Sequence, residues 1–280
     1  MQERSEQSAR VDRRPPPLDP PPLPGPAPLY QGWRDALFVH WAVPPERVAP
    51  LLPEHTRPDV LDGTTYVGLV PFRVPFTTAA GVPVGGFGEV NVRLYSVDGY
   101  GRRGVVFLSM DASSAHNVLA ARALVGVPYM WSDVSLRAGR GGVHAGAVRR
   151  RLPLGGARGR WRATVGERVE RESPLERFVT ARWGLHTRRA GRTWWIRVSH
   201  PRWPLFRAHS WAYEGDLLDA AGVRVDDREP VSVLWSPGVD TGVCPSLLPA
   251  PPPGAAHRGR RAAPLPEPAS PAGARGALPS

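Results

Sequence analysis

At 280 residues the chain is long enough for one sizeable domain, or two small ones, with a real core. It carries a formal net charge of +11, and all 36 of its basic side chains are arginine, so no side chain can supply a lysine amine. One cysteine, Cys244, excludes an internal disulfide and fits a reducing compartment.

Residues 1–28, with the run PPPLDPPPLPGPAP, lack an apolar period and predict a disordered, polyproline-type arm. That start is not a signal peptide, and no apolar run approaches the ~20 residues that span a bilayer. The expectation is a cytoplasmic protein with no membrane contact. A single folded domain is expected over residues 30–243, followed by a disordered tail rich in Pro, Ala and Arg over residues 244–280.

Trp33 to Val43 alternates as a strand with His40 inside it. Pro44-Pro45-Glu46-Arg47-Val48 begins a short helix with proline in its first turn. Thr65 to Val74 reads as a second strand. From Phe87, the run FGEVNVRLY puts Phe87, Glu89, Asn91, Arg93 and Tyr95 on one face and Gly88, Val90, Val92 and Leu94 on the other. The polar row fits the solvated face of an ordinary sheet. It also fits the inner wall of a barrel that holds a ligand.

Gly99 to Gly104 matches the letters G-x-G-x-x-G, but the strand-like run Val105-Val106-Phe107-Leu108 follows where a dinucleotide motif needs a helix. It therefore reads as a hairpin turn. After Asp111, Ser113 or Ser114 can cap a helix whose apolar stripe holds Val118, Leu119, Arg122 and Val125. An arginine in such a stripe needs a partner. Arg122 either pairs with Asp111 or Glu89, or grips a substrate carboxylate bidentately. His116 falls off the stripe and reads as a surface or loop residue.

Arginines 137, 140, 149, 150, 151, 158, 160 and 162 occur with no acid among them, and they account for the charge excess of the folded part. The stretch reads as two outer strands joined by a Gly-rich loop. Such a hairpin can track a phosphate backbone. Trp161 is its only stacking platform, however, and the uniform use of arginine points to compositional bias. A solvated face is expected here, with nucleic acid not the expected partner.

Ser173-Pro174-Leu175-Glu176 has the form of a capping box, opening a helix that carries Leu175, Phe178, Val179 and Arg182. Arg192 to Ser199 is a strand. His200 and His209 are expected to be hydrogen-bonded structure, and Cys244 has no motif that would make it a nucleophile. There is no H-E-x-x-H, no Cys pair and no G-x-S-x-G, so neither a metal nor a cofactor is called for. The elements together predict a sheet-dominated α+β domain.

Several segments resemble the YqjF-like family, uncharacterised bacterial proteins related in fold to acetoacetate decarboxylase. They are FVHWAVPPERVAPLLP, TTYVGLVPFRV, FGEVNVRLYSVDGYGRRGVVFLSMDA, AARALVGVPY, PLERFVTARWGLHT and HPRWPL, in order over most of residues 30–210. The resemblance implies an antiparallel β-barrel of acetoacetate-decarboxylase-like type with a few flanking helices and a small-molecule pocket. Acetoacetate decarboxylases form a Schiff base on a lysine that ends a Gly-Arg-x-x-x-Gly-x-Pro-Lys segment. Here the matching residues are Arg122, Gly126 and Pro128, and Tyr129 stands in the lysine's place. Schiff-base chemistry needs a primary amine, so the resemblance implies the scaffold but argues against that reaction.

The expected pocket is lined by Glu89, Arg93, Asp111, Arg122 and Tyr129 and binds a small carboxylate or oxo-acid. Arg93, Asp111 and Arg122 are its ligand-binding candidates. Glu89 is a general acid or base if burial raises its pKa, and Tyr129 can donate to a carbonyl or enolate. Any turnover would then be acid/base chemistry of a lyase or isomerase kind. The alternatives are a non-catalytic regulatory or structural module, and a nucleic-acid or partner binder using the 137–162 hairpin. The sequence does not specify an oligomeric state.

Overall fold

The structure is a computed structural model that describes residues 16–115, 118–119, 126–139, 142–152, 156–227 and 229–249. Strands dominate: β1 (Leu29–Val43), β2 (Thr56–Pro58), β3 (Thr65–Val74), β4 (Thr77–Ala79), β5 (Val82–Pro83), β6 (Phe87–Asp98) and β7 (Arg103–Ala112) come first. They are followed by β8 (Tyr129–Ala138), β9 (Val143–Leu152), β10 (Arg158–Arg168), β11 (Gly184–Arg189), β12 (Arg192–Ser199), β13 (Phe206–Gly215) and β14 (Ser232–Pro249). The helices α1 (Pro45–Val48), α2 (Pro174–Thr180) and α3 (Leu217–Ala220) are short. Among the described residues no helix is long and apolar enough to cross a membrane.

The strand order is β11-β12-β14-β13-β10-β9-β8-β7-β6-β3-β1-β4-β5, with β2 beside β6. Two further pairings, β14 with β1 and β11 with β7, bring this path back on itself. One circuit runs β1-β3-β6-β7-β11-β12-β14. A second, through β8, β9, β10 and β13, shares β1, β3, β6, β7 and β14 with it.

The pairing is not wholly antiparallel, which corrects one part of the expectation. β8 runs parallel to β7, with Met110 opposite Tyr129 and Ala112 opposite Trp131, and β11 meets β7 in parallel where Leu185 faces Val105. A parallel neighbour cannot follow from a tight hairpin and needs a crossover, which the chain makes between Ser113 and Gly126. At its start Val118 donates to the Ser114 carbonyl at 3.0 Å and is buried, whereas Leu119 is 72% exposed. Leu119 is therefore not on the inward stripe.

The shared strands are largely buried on both faces because a core lies on each side. Leu37, Val39, Val67, Leu69, Val90, Val92 and Leu94 face one core with Trp161 and Leu217. Phe38, Val70, Phe72, Phe87 and Tyr95 face the other with Phe178 and Ile196. The polar row of β6 thus points inward. The capping box of α2 is complete, with Glu176 N–H donating to Ser173 Oγ at 3.2 Å and Ser173 N–H to Glu176 Oε2 at 2.7 Å. Asp98 accepts from Tyr100 and Arg102 N–H across the β6–β7 hairpin, where Gly101 has positive φ.

Described residues on both sides of the 30–243 span, 16–28 and 244–249, make contacts that the composition does not predict. Residues 16–28 lie against the domain. The Pro16 carbonyl accepts from Arg177 at 2.6 Å, the Pro17 carbonyl accepts from Trp183 at 2.8 Å, and Asp19 pairs with Arg202. A polyproline backbone makes no internal hydrogen bonds, so its carbonyls are available to such donors. At the other end β14 continues past Cys244 to Pro249 because β12 pairs with it there.

The arginine-rich stretch forms β8, β9 and the start of β10 rather than one hairpin of two strands. Arg151 pairs with Asp133 and Arg160 with Glu214, while Arg150 is buried. Trp161, at 3% exposure, sits in the core and offers no face to a nucleobase. Arg140 lies outside the described residues.

Candidate functional site

A cavity of about 300 Å³ lies inside the first circuit. Four successive inward residues of β6 line it: Phe87, Glu89, Asn91 and Arg93. They share a face because strand side chains alternate.

Glu89 is buried, and both of its oxygens are engaged. Tyr129 O–H donates to Oε2 at 2.7 Å and Asn91 Nδ2 donates to Oε1 at 3.2 Å. Burial pushes the Glu89 carboxyl up to about 7, against the pull of these two hydrogen bonds and with a smaller push from the Asp111 charge. Burial, reinforced by Glu89, likewise holds the Tyr129 phenol well above its ordinary value. The approach to Tyr129 depends on Gly126, which has φ of +76°. A Cβ there would lie 2.9 Å from Arg189 Cβ and 3.0 Å from the Arg188 carbonyl. The position that a Schiff-base lysine would occupy by resemblance is thus a phenol bound to a carboxyl group.

Farther along β6, Arg93 is held from one side only. Its Nε donates to Tyr95 Oη at 3.3 Å and its Nη2 to the Val179 carbonyl at 3.0 Å, with the guanidinium 5.4 Å from the centre of the Phe38 ring. Tyr95 O–H itself donates to the Val179 carbonyl at 3.0 Å, so it accepts from His40 Nε2 at 2.7 Å. Burial, with Arg93 and Arg182 nearby, depresses His40 well below its ordinary value and keeps it neutral. Gly68 makes room for this cluster, since a Cβ there would meet His40 Nε2 at 3.0 Å and Arg93 Cγ at 3.3 Å. Among the described residues Arg93 Nη1 makes no hydrogen bond and Arg93 no ion pair.

Arg182 adds a second cation to the lining. It donates from Nε to the Phe178 carbonyl at 2.7 Å and from Nη1 to Asp59, while its buried Nη2 has no partner. Asp59 also takes Arg103 Nε at 2.7 Å, so one carboxylate serves two arginines and leaves none for Arg93. His200 lines the same cavity, donates Nδ1–H to the Pro201 carbonyl, and is pushed by burial down to about 4. Trp33 and Trp203, stacked 6.1 Å apart, and Phe38 complete an aromatic wall beside it.

Of the residues singled out from sequence, Glu89, Arg93 and Tyr129 meet in this cavity. Asp111 does not. Its neighbour Met110 faces the cavity, so Asp111 faces away. There Arg150 grips it from Nε at 2.9 Å and Nη2 at 2.8 Å, and Ser132 Oγ donates at 2.7 Å. It is a structural ion pair, which corrects its assignment to the pocket. Arg122 and His116 lie outside the described residues. His209 is exposed and pairs with Glu167, apart from His200. Arg182 and His200 were missed as lining residues. The signal for Arg182 was its place completing the apolar stripe of α2, and the structure puts it just past the helix end, bonded back to Phe178.

Ser96, His186 and Asp98 also come together, with Ser96 Oγ 2.8 Å from His186 Nδ1 and His186 Nε2 3.3 Å from Asp98 Oδ2. All three are buried and none lines this cavity.

This strand circuit is similar in fold to solved acetoacetate-decarboxylase-like enzymes. The solved acetoacetate decarboxylase of Legionella pneumophila subsp. pneumophila str. Philadelphia 1 is similar, with a TM-score of 0.56 at 14% identity, over 79% of this chain and 85% of that one. The enduracididine biosynthesis enzyme MppR complexed with pyruvate is similar with a TM-score of 0.50 at 15% identity, over 83% of this chain and 96% of that one. At such identities the likeness is one of fold. The chain belongs to the DUF2071 family, described as an uncharacterized conserved protein, which it matches over residues 30–240. The uncharacterized protein YqjF of Bacillus subtilis (strain 168) is 25% identical over 207 residues, 72% of this chain and 85% of YqjF.

Proposed function

We propose that the protein binds a small organic anion, a carboxylate or oxo-acid, in a cavity walled by the strand circuit as by a barrel. The observation behind this reading is Arg93, an arginine on the cavity wall with an unspent Nη1 and no carboxylate partner among the described residues. Arg182 Nη2, buried and unpartnered in the same lining, adds a second donor. Guanidinium groups so placed suit a carboxylate, which accepts two parallel N–H bonds. The likeness to MppR, solved with pyruvate, fits an oxo-acid ligand.

Schiff-base chemistry is not part of this proposal, since the chain contains no lysine. The Glu89–Tyr129 pair offers acid/base chemistry instead. A carboxyl poised at about 7 holds a proton roughly half the time near neutral pH, and so can take one from the ligand or give one to it.

The test is thermal unfolding of the wild type and Arg93→Met with a panel of oxo-acids and other carboxylates. A ligand at 100 times its dissociation constant should stabilise the wild type by about 2.7 kcal/mol and leave the variant unmoved. A folded wild type that responds to none of the acids contradicts the proposal.

A further inference from the structure

Glu89 and Arg93 face the same cavity from the same strand, four residues apart, which is roughly 13 Å between their Cα atoms. Their side chains are held by different partners. The Arg93 guanidinium is drawn forward to Tyr95 and Val179, whereas Glu89 is held by Asn91 and Tyr129. The cavity therefore has two polar ends. On the neighbouring strands the wall is apolar, with Val70 and Met110 opposite Asn91, Phe72 opposite Glu89 and Phe107 opposite Arg93.

The second end has an acceptor to spare. Ionised Glu89 oxygens can only accept, so the Asn91 amide nitrogen turns toward Glu89 and its Oδ1 turns away. That oxygen belongs to a side chain 3% exposed, on the cavity lining, and it has no partner. A buried acceptor without a donor is costly to leave in place. A ligand hydroxyl or amine would satisfy it. The cavity, about ten times the ~30 Å³ share of a liquid water, has room for a ligand that reaches both this oxygen and Arg93.

Resting on the anion reading above, we infer that the ligand is two-headed. It has a carboxylate at the Arg93 and Arg182 end, a hydroxyl or amine at the Asn91 and Glu89 end, and an apolar spacer between them.

Calorimetric titration with ω-hydroxy acids of roughly four to ten carbons, each against the unsubstituted acid of the same length, tests this directly. At the length that spans the cavity, the hydroxy acid should bind the wild type about tenfold more tightly than its unsubstituted partner. Asn91→Leu should erase that advantage while keeping the unsubstituted acid bound, and Arg93→Met should lose both. Equal affinity of the two series for the wild type at every length overturns the two-headed ligand and leaves the anion site standing. Failure of every carboxylate to bind overturns both.

Discussion

Glu89 is a carboxyl group whose proton is held by burial, and the sign of its effect on stability follows. Its ordinary value is 4.5 and its folded value about 7. Between those pH values the folded chain keeps a proton that the unfolded chain has lost, so the stabilisation present below pH 4.5 is lost as pH rises through 7. Urea unfolding at pH 5 and pH 8 should show the wild type losing about 2 to 3 kcal/mol more than Glu89→Gln over that interval. Parallel behaviour of the two proteins would mean that Glu89 titrates normally. Alternation along FGEVNVRLY was enough to place Glu89, Asn91 and Arg93 together, because period 2 is all that a strand requires. Whether that face was wet or enclosed was not legible, since it depends on which distant strands close the circuit.

At the scale of elements, Asp111 shows where local pattern misleads. Being charged and next to the site in sequence suggested a pocket residue, but the strand alternates and Met110 takes the inward position. The partner, Arg150, comes from β9, two strands away. No local pattern announces that pairing, and the surrounding arginines looked like a solvated face. The pair ties β7 to β9 across Ser132 of β8, with side chains only 1% and 4% exposed. Arg150→Met should therefore cost about 3–5 kcal/mol in urea unfolding by leaving a buried carboxylate alone. Adding Asp111→Leu should recover most of it, because the uncompensated charge is then gone. A single-variant loss under about 1 kcal/mol would show that the pair contributes little. The capping box of α2 and the hairpin after β6 were legible because short motifs carry their own hydrogen bonds. The docked 16–28 arm was not, because its partners Arg177, Trp183 and Arg202 lie far along the chain.

The molecule as a whole keeps more cations than anions around one cavity. Arg103 and Arg182 share the carboxylate of Asp59, Arg93 pairs with no carboxylate among the described residues, and the nearby His40 and His200 stay neutral. A half-buried arginine without a counter-ion adds little to stability. The proposed anion site would account for its place there. The deciding measurement is the urea unfolding free energy of Arg93→Met against wild type, with no ligand present. Removing the guanidinium orphans nothing: the Val179 carbonyl keeps the Tyr95 hydroxyl, and Tyr95 keeps His40. The account predicts a variant as stable as the wild type or more so. A loss of about 2 kcal/mol or more would make Arg93 a structural clamp between β6 and α2, and would contradict the anion site.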